Sequence, residues 1–402
     1  MISRHFGWSP DTSSRGADID LAPTSKSVHR IVVALGLALG LSLSGCAARQ
    51  GPPTMESIAR AIAGLGEEEL WLCGKAAVQA EEYLRAAMCF SLLADRFPDS
   101  PKWRQATLGA GEAWERQEDW QRALERYLAA YDPEADDALA LTWKISTAYY
   151  ELDLYQEAID LLEPLIGRED LSLTDRIRAQ TWTGVCKLEL GDWEDAEMEF
   201  RRALFVYQRR KGEERVDPYF PAQAQFFLGE IYRRHFEDVS IDQTDDVPRL
   251  SETIEKKSEY LLSAQGHYVR TVRFGHPHWA TAAGQRIGQL YERLYDEMIE
   301  APIPSSLTPE QAELYRLEVR RKVRILVKKA IAAYERTLTV AERIGLDTAF
   351  VDKTRAGLRR MEQLLLEDLG DDHLVDEPSE QAEEEGDPEE ARGSASARGG
   401  EE

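Results

Sequence analysis

One spacing recurs along the chain and constrains its fold more than any other feature. A small residue is followed after twelve positions by an alanine, and four positions later by a large apolar side chain. The pattern occurs four times in succession, in Gly74, Ala86 and Phe90, in Gly111, Ala123 and Tyr127, in Ser146, Ala158 and Leu162, and in Gly184, Ala196 and Phe200. Its alanines lie 37, 35 and 38 residues apart. Self-similarity at this period predicts a stack of similar units.

Each unit is predicted to be a pair of helices. From Leu70 to Thr337 the chain is rich in Ala, Leu, Glu and Arg, with apolar residues at helical spacing and few β-branched runs. A small residue in the first helix and an alanine in the second let two antiparallel helices approach closely. The large side chain then fills the space between neighbouring units. An irregular helical bundle is the alternative interpretation of the same composition.

The repeated pattern resembles the tetratricopeptide repeat, a helix-turn-helix unit of about 34 residues. The resemblance implies an all-α solenoid of about six units with inserts and disordered termini. We place units one to four at 67–210, divergent units five and six with inserts at 217–344, and a capping helix at 345–369. In unit five the small residue is Gly229 and the alanine Ala264, and in unit six they are Gly288 and Ala330.

The second helix of unit six has a recognisable start. Thr308 precedes Pro309, and Gln311 follows at the position that closes a capping box. We expect a helix of about nine turns from here to Arg343, followed by a last helix from Thr348 to Leu369.

The amino-terminal segment resembles a bacterial lipoprotein signal. An apolar stretch too short to span a bilayer follows Lys26, His29 and Arg30, and it ends at Leu43-Ser44-Gly45-Cys46. The resemblance implies a signal peptide over 1–45, lipidation of Cys46, and a linker over 46–66. Ala47 after the cysteine points to the outer membrane, with the periplasmic face as the default. An uncleaved anchor or a chance match is the alternative.

Charge narrows the range of partners. The formal net charge is -24, which disfavours nucleic acid and anionic lipid surfaces. Residues 370–402 hold 13 acidic and 2 basic residues with almost no apolar ones. Such a segment cannot offset its ordering entropy by burial, so we expect an acidic, disordered tail.

The cysteines and histidines give no strong sign of a site. Beside Cys46 the chain has Cys73, Cys89 and Cys186, which we expect to be small buried residues; one internal disulfide with a spare thiol stays open. His276-Pro277-His278, with His267 upstream, is a weak zinc candidate, and a turn is the favoured interpretation. No catalytic motif is present, so the sequence predicts no enzyme, no cofactor and no metal.

Two surfaces are candidates for binding. Tetratricopeptide stacks bind partners in a groove lined by their first helices, and the resemblance implies aromatic anchors here for an extended peptide. Those residues are Trp71, Trp143, Tyr150, Trp182, Phe226 and Phe227. Some of them could instead pack between adjacent helices.

The second surface is a basic ridge of side chains that recur every four residues: Arg316, Arg320, Arg324 and Lys328, joined by Arg321, Lys322 and Lys329. The ridge could bind an acidic partner or this chain's own tail, and a solvated charged face is the plainer interpretation.

Two resemblances indicate a cellular role. Residues 83–165 are similar in plan to the tetratricopeptide lipoprotein of the outer-membrane barrel assembly machine. Residues 301–341 resemble tetratricopeptide proteins of deltaproteobacterial envelopes, including those of gliding-motility complexes. Together they imply a non-enzymatic, membrane-anchored scaffold that binds peptides or barrel loops of other envelope proteins. The alternative is a lipoprotein that binds glycan or recruits cell-wall enzymes.

Overall fold

A computed structural model describes residues 54–241 and 247–375 of the chain. This part is helical and contains no strand. Its helices are α1 (Met55–Ile62), α2 (Glu67–Gln79), α3 (Tyr83–Arg96), α4 (Trp103–Arg116), α5 (Trp120–Ala130), α6 (Ala138–Glu151), α7 (Tyr155–Ile166), α8 (Leu173–Leu190), α9 (Trp193–Arg210), α10 (Tyr219–Asp238), α11 (Val247–Arg273), α12 (Pro277–Glu300), α13 (Pro309–Ile344) and α14 (Ala349–Val375). Helices α2 to α13 pair in sequence order as hairpins, which we number units one to six. The predicted all-α solenoid is confirmed.

The recurring glycine is what lets each hairpin close. A β-carbon at Gly111 in α4 would lie 2.6 Å from the ring of Tyr127 in α5. The rings of Phe90 and Phe200 cover Gly74 and Gly184 in the same way. Ala86, Ala123 and Ala196, four residues before these rings, are fully buried. The close approach inferred from the spacing is therefore the packing that the hairpins adopt.

The turns inside units one to four share one backbone conformation. A residue seven positions after the small residue takes a positive φ, between 58° and 90°. These residues are Glu81, Glu118, Asp153 and Gly191. Only the last is a glycine, so three turns hold a side chain in the left-handed region, which most residues avoid.

Units five and six keep the pattern but have longer helices. The ring of Tyr268 covers Gly229, and the ring of Tyr334 covers Gly288. The second helices of both units are long, since α11 has 27 residues and α13 has 36, against 14 in α3. Helix α13 begins with the expected capping box of Thr308 and Gln311. Helix α14 continues to Val375, six residues beyond its predicted end.

The apolar core is divided in two. One cluster of buried side chains extends from α1 into α6, where it includes Leu141 and Ile145. The other begins in the same helix with Trp143 and Tyr150 and continues to α14. The boundary lies in unit three, where Ser146 and Leu162 replace the glycine and the ring of the other units.

One expectation about the cysteines was wrong. Cys73 in α2 and Cys89 in α3 form a disulfide, with their Cα atoms 6.1 Å apart. The hairpin brings the two together because the helices are antiparallel and closely packed. Cys186 is a buried free thiol, as expected.

Several predictions fall on residues that are not described. They are the signal segment 1–45, Cys46, and the tail beyond Val375. Among the helices of the described ranges, none combines the length and apolar character needed to cross a bilayer.

Candidate functional site

The six aromatic residues predicted to line a groove are mostly core residues. Trp143, Tyr150, Trp182, Phe226 and Phe227 each expose 7% of their surface or less. Trp71 is half-buried, and its ring centroid lies 5.6 Å from that of Phe90. The expectation that the other five serve as exposed anchors is therefore corrected.

These rings are buried because neighbouring helices stack on them. Tyr150 in α6 meets Trp182 in α8 at 6.2 Å between ring centroids. Phe226 in α10 meets Trp279 in α12 at 5.2 Å. The alternative left open by the sequence, packing between adjacent helices, is what these side chains do.

A cation covers part of this aromatic cluster. The guanidinium of Arg178 lies 4.1 Å from the ring centroid of Trp143 and 5.4 Å from that of Phe220. It also lies 5.8 Å from Trp182, one helical turn further along α8. Such contacts stabilise a cation over a ring face. Sequence reasoning missed Arg178, although its place one turn before Trp182 was a usable signal.

A pocket of about 320 Å³ opens between the first helices of units five and six. We call it the charged pocket. Its lining residues are Arg233, Phe236, Glu237, Arg286, Gln289, Leu290, Glu292, Arg293 and Asp296. Most of them are charged, which distinguishes this surface from the apolar packing of the earlier units.

A buried carboxylate joins the two sides of the charged pocket. The side chain of Glu230 in α10 is 1% exposed. Its carboxylate lies 3.0 Å from the guanidinium of Arg233 in the same helix and 3.0 Å from that of Arg286 in α12. The hydroxyl of Tyr268 donates a hydrogen bond to it. Burial alone would raise the pKa of Glu230, but the two guanidinium groups outweigh burial and hold that pKa below its usual range. The pair of arginines is therefore fixed in place by one ionised group.

The next helix along the stack extends the network. Arg360 in α14 donates to Glu292 at 2.5 Å and to Asp296 at 2.7 Å. The hydrogen bond that Arg360 donates to Asp296 raises the pKa of Arg360, which keeps it charged. Helices α10, α12 and α14 are thus linked by charge-assisted hydrogen bonds along one edge of the charged pocket.

A buried lysine fixes the end of α10, which forms one wall. The ammonium of Lys257 donates to the carbonyl oxygens of Phe236 and Val239 at 2.6 and 2.7 Å. It also lies 2.7 Å from the carboxylate of Glu297 in α12. Lys257 thereby satisfies carbonyls at a helix end that would otherwise need water, and it holds the pocket wall against α12.

The charged pocket suits a polar ligand that carries both charges. Its arginines are matched by Glu237, Glu292 and Asp296, and Gln289 adds an amide that can donate and accept. The side chain of Arg293 is 60% exposed, so it can reach a ligand. The lining contains no serine, cysteine, histidine or lysine, and its carboxylates are those of Glu237, Glu292 and Asp296.

The sequence did contain a signal for this site. Glu230 and Gln289 occupy the position directly after the recurring glycine, and Arg233 and Glu292 occupy the fourth position after it. They were overlooked because charged residues on amphipathic helices usually form a solvated face.

The histidine cluster packs with aromatic rings. His276 and His278 contact Tyr219 with ring centroids 5.0 and 6.5 Å apart, and His278 also contacts Phe350. Burial lowers the pKa of His278 to about 4, so its imidazole is neutral at pH 7. Across residues 54–241 and 247–375, no group of three or more His, Cys, Asp or Glu side chains is placed to hold a metal ion.

The basic ridge lies on α13 and does not line the charged pocket. Arg316, Arg320 and Lys328 are exposed, and Arg324 is half-buried. Arg316 pairs with Glu313 one turn before it.

Comparisons with known proteins give likeness only at the level of solved structures, since neither a family model nor a curated protein matches the sequence. The apo form of RapI is 8% identical, with a TM-score of 0.37 over 76% of this chain and 100% of that one. A tetratricopeptide repeat protein from Parabacteroides merdae is 15% identical, with a TM-score of 0.33 over 72% and 98% of the two chains. A Rap protein complexed with Competence and Sporulation Factor is 12% identical, with a TM-score of 0.33 over 80% and 82%. These scores are low, and it is the repeated packing of its own glycines, alanines and rings that makes this chain an all-α solenoid of the tetratricopeptide type.

Proposed function

We propose that this protein is a non-enzymatic scaffold that binds a segment of a partner protein in the charged pocket. The observation that carries the proposal is the pocket itself, in which rigid helices hold guanidinium, carboxylate and amide groups around an open volume of about 320 Å³. A polypeptide offers backbone donors and acceptors and side chains of both charges, so it matches this lining better than an ion of one sign.

The charged pocket favours binding because its lining side chains are already held in place. Ion pairs fix α10, α12 and α14 relative to one another; those of Lys257 and Glu230 are buried, and that of Arg360 is exposed. A partner segment would therefore meet side chains that are already ordered, which lowers the entropic cost of association. The partner's own segment would supply the remaining hydrogen-bond partners.

We place this scaffold in the bacterial envelope, attached to the periplasmic face of the outer membrane by lipid on Cys46. The support is the cysteine that ends an apolar stretch after a basic flank. The Cys73–Cys89 disulfide agrees with it, because disulfides persist in oxidising compartments and are rare in the cytosol. An outer-membrane assembly or motility complex would be a suitable setting for such a scaffold.

The glycan-binding alternative has lost its main support. It relied on exposed aromatic rings that could stack on sugars, and five of the six rings are buried in the core. We therefore retain protein binding alone.

The test is photo-crosslinking in cells with a light-activated amino acid at Gln289, followed by mass spectrometry of the trapped proteins. Capture of a specific protein partner would support the proposal. The same capture is then repeated with Arg293→Glu, which reverses one exposed charge at the pocket edge. A matched control is Arg60→Glu on α1, whose side chain is 75% exposed, pairs with a glutamate four residues away and lies outside the pocket.

We expect Arg293→Glu to reduce capture by about ten-fold and Arg60→Glu to leave it unchanged, since like-charge contacts weaken a specific interface. Equal capture by both variants, or no captured protein at all, would refute the charged pocket as the binding site. Retention of the purified protein on peptidoglycan would instead revive the glycan alternative.

A further inference from the structure

The first half of α13 is a basic segment in an acidic protein. Residues 309–329 contain seven basic and three acidic side chains, a net charge of +4, in a chain whose net charge is -24. A concentration of positive charge this local creates a field that favours negatively charged groups over distances of a Debye length, about 8 Å at physiological salt.

The basic side chains point away from the core of unit six. Val323, Val327 and Ala330 form the buried face of α13, while Arg316, Arg320 and Lys328 are exposed. Two ion pairs within the helix, Arg316 with Glu313 and Arg321 with Glu318, are exposed. Exposed pairs of this kind contribute only about 0.3–0.5 kcal/mol each, and the net charge of +4 already counts these carboxylates.

Helix α14 ends level with the start of this ridge. It packs against α13, and Gly357 in α14 lies against the ring of Tyr334 in α13. Val375 is eighteen residues after Gly357, and Arg316 is eighteen residues before Tyr334. Because the two helices are antiparallel and rise equally per residue, α14 ends level with the start of the ridge.

The chain that continues from this point has the opposite charge. Residues 376–402 contain eleven acidic and two basic side chains, a net charge of -9. From Arg316 to Lys328 the ridge is about 18 Å long, and a random coil of about 27 residues spans about 30 Å on average. The acidic segment is long enough to lie along the whole ridge.

We propose that residues 376–402 bind the basic ridge of their own chain. Three observations carry this inference: the opposite charges, the level end of α14, and the length of the segment. Tethering gives the acidic segment an effective concentration on the order of millimolar at the ridge, so weak ion pairs suffice for occupancy. Any acidic partner of the ridge would have to displace it. The inference is independent of the charged pocket.

A zero-length carbodiimide crosslink tests the proposal, because it joins a carboxylate to an amine only where they touch. In the full chain, we expect mass spectrometry to find Lys328 joined to acidic residues between 376 and 390. The pair of Lys144 and Glu112, 3.4 Å apart in units two and three, serves as the internal reference for crosslinking yield. Mixing isotopically light and heavy copies of the protein distinguishes links within a chain from links between chains.

Both the test variant and its control keep the Lys328 amine that forms the crosslink. Arg316→Gln with Arg320→Gln removes two ridge charges, and we expect the Lys328 crosslink to fall about five-fold. Arg85→Gln with Arg209→Gln removes two exposed arginines elsewhere and should leave the crosslink unchanged. A wild-type chain without the Lys328 crosslink, a link only between copies, or equal loss in both variants would overturn the proposal.

Discussion

The hydroxyl of Tyr334 donates a 2.6 Å hydrogen bond to Glu292, and the ring that carries it lies across Gly288. The tyrosine comes from α13 and the carboxylate from α12. One side chain therefore packs between the two helices with its ring and hydrogen-bonds across them with its hydroxyl. Burial, together with the negative charge of Glu292, raises the pKa of Tyr334, which stays protonated and keeps donating.

The same relationship recurs where the repeat has a tyrosine and is missing where it has a phenylalanine. Tyr127 donates to Glu115, and Tyr268 donates to Glu230. Glu115 lies four residues after the glycine of its unit, and Glu230 lies directly after its glycine. Units one and four have Phe90 and Phe200 instead, and neither position carries a carboxylate there, since the residues are Lys75 and Val78 in unit one and Val185 and Leu188 in unit four. Units with a tyrosine ring therefore also have a carboxylate beside it, and units with a phenylalanine ring do not. A buried hydroxyl needs a hydrogen-bond partner, whereas a phenylalanine does not.

Removing the hydroxyl from unit six and adding one to unit four should each lower the stability of the protein. We expect Tyr334→Phe to lower the free energy of unfolding by about 1–2 kcal/mol, since it deletes a hydrogen bond to a charged group. Phe200→Tyr should lower it by about 1–3 kcal/mol, because the new hydroxyl would meet Leu188. Urea unfolding followed by circular dichroism measures both. A neutral effect of Phe200→Tyr would contradict the pairing rule.

Glycine at the hairpin contacts should not tolerate a methyl group. We expect Gly229→Ala to destabilise the protein by about 1–3 kcal/mol, because the β-carbon would overlap the ring of Tyr268. Gly167→Ala is the control, since no other atom lies within 4 Å of its β-carbon. There the change should stabilise the protein by about 0.4–1 kcal/mol through the unfolded state. Thermal unfolding distinguishes the two outcomes, and equal shifts would argue against close packing.

The disulfide should be detectable by counting thiols in a chain with Cys46→Ala. The native protein should react with Ellman's reagent at no site, since burial protects Cys186 and raises its pKa to about 12. Unfolding should expose one thiol, and reduction should then give three. Three thiols before reduction would show that Cys73 and Cys89 are not bonded. Loss of the bond should cost about 3 kcal/mol.

Acid should destabilise units five and six through two histidines. Burial lowers the pKa of His267 and of His278 to about 4, against 6.5 when unfolded. Their contribution to stability is therefore complete above pH 6.5 and is lost as the pH falls from 6.5 towards 4. A shift of this size corresponds to about 3 kcal/mol for each histidine.

The measurement is urea unfolding at pH 7 and at pH 4.5 for the wild type and for His267→Gln with His278→Gln. The double variant should lose less stability than the wild type over this range. Parallel pH dependences in the two proteins would show that these imidazoles do not titrate as described.

The sequence predicted the hairpins because their cause is local. Spacing alone located Gly288 opposite Ala330 across a long insert, and cap chemistry located the start of α13 at Thr308. Whether the aromatic residues are buried or exposed could not be predicted in this way. Positions that face a groove and positions that face the next helix differ by one residue on a helix, so periodicity cannot separate them.

The disulfide could have been found from the repeat. Cys73 directly precedes Gly74, and Cys89 directly precedes Phe90. The register that sets the glycine against the ring therefore sets one cysteine near the other. The sequence signalled the charged pocket only in part, because its geometry also depends on Lys257 and Arg360, which lie outside the recurring glycine pattern.

The division of the apolar core within α6 has a consequence for how the protein responds to force and heat. In a stack where each unit contacts only its neighbours, cooperativity passes from unit to unit and fails first at the weakest interface. Unit three lacks the interlocked glycine and ring, and it lies where the two core clusters meet. We therefore expect the protein to behave as two cooperative blocks joined at α6, where Tyr149 packs against both clusters, and a load pulling on its ends to separate the blocks there first.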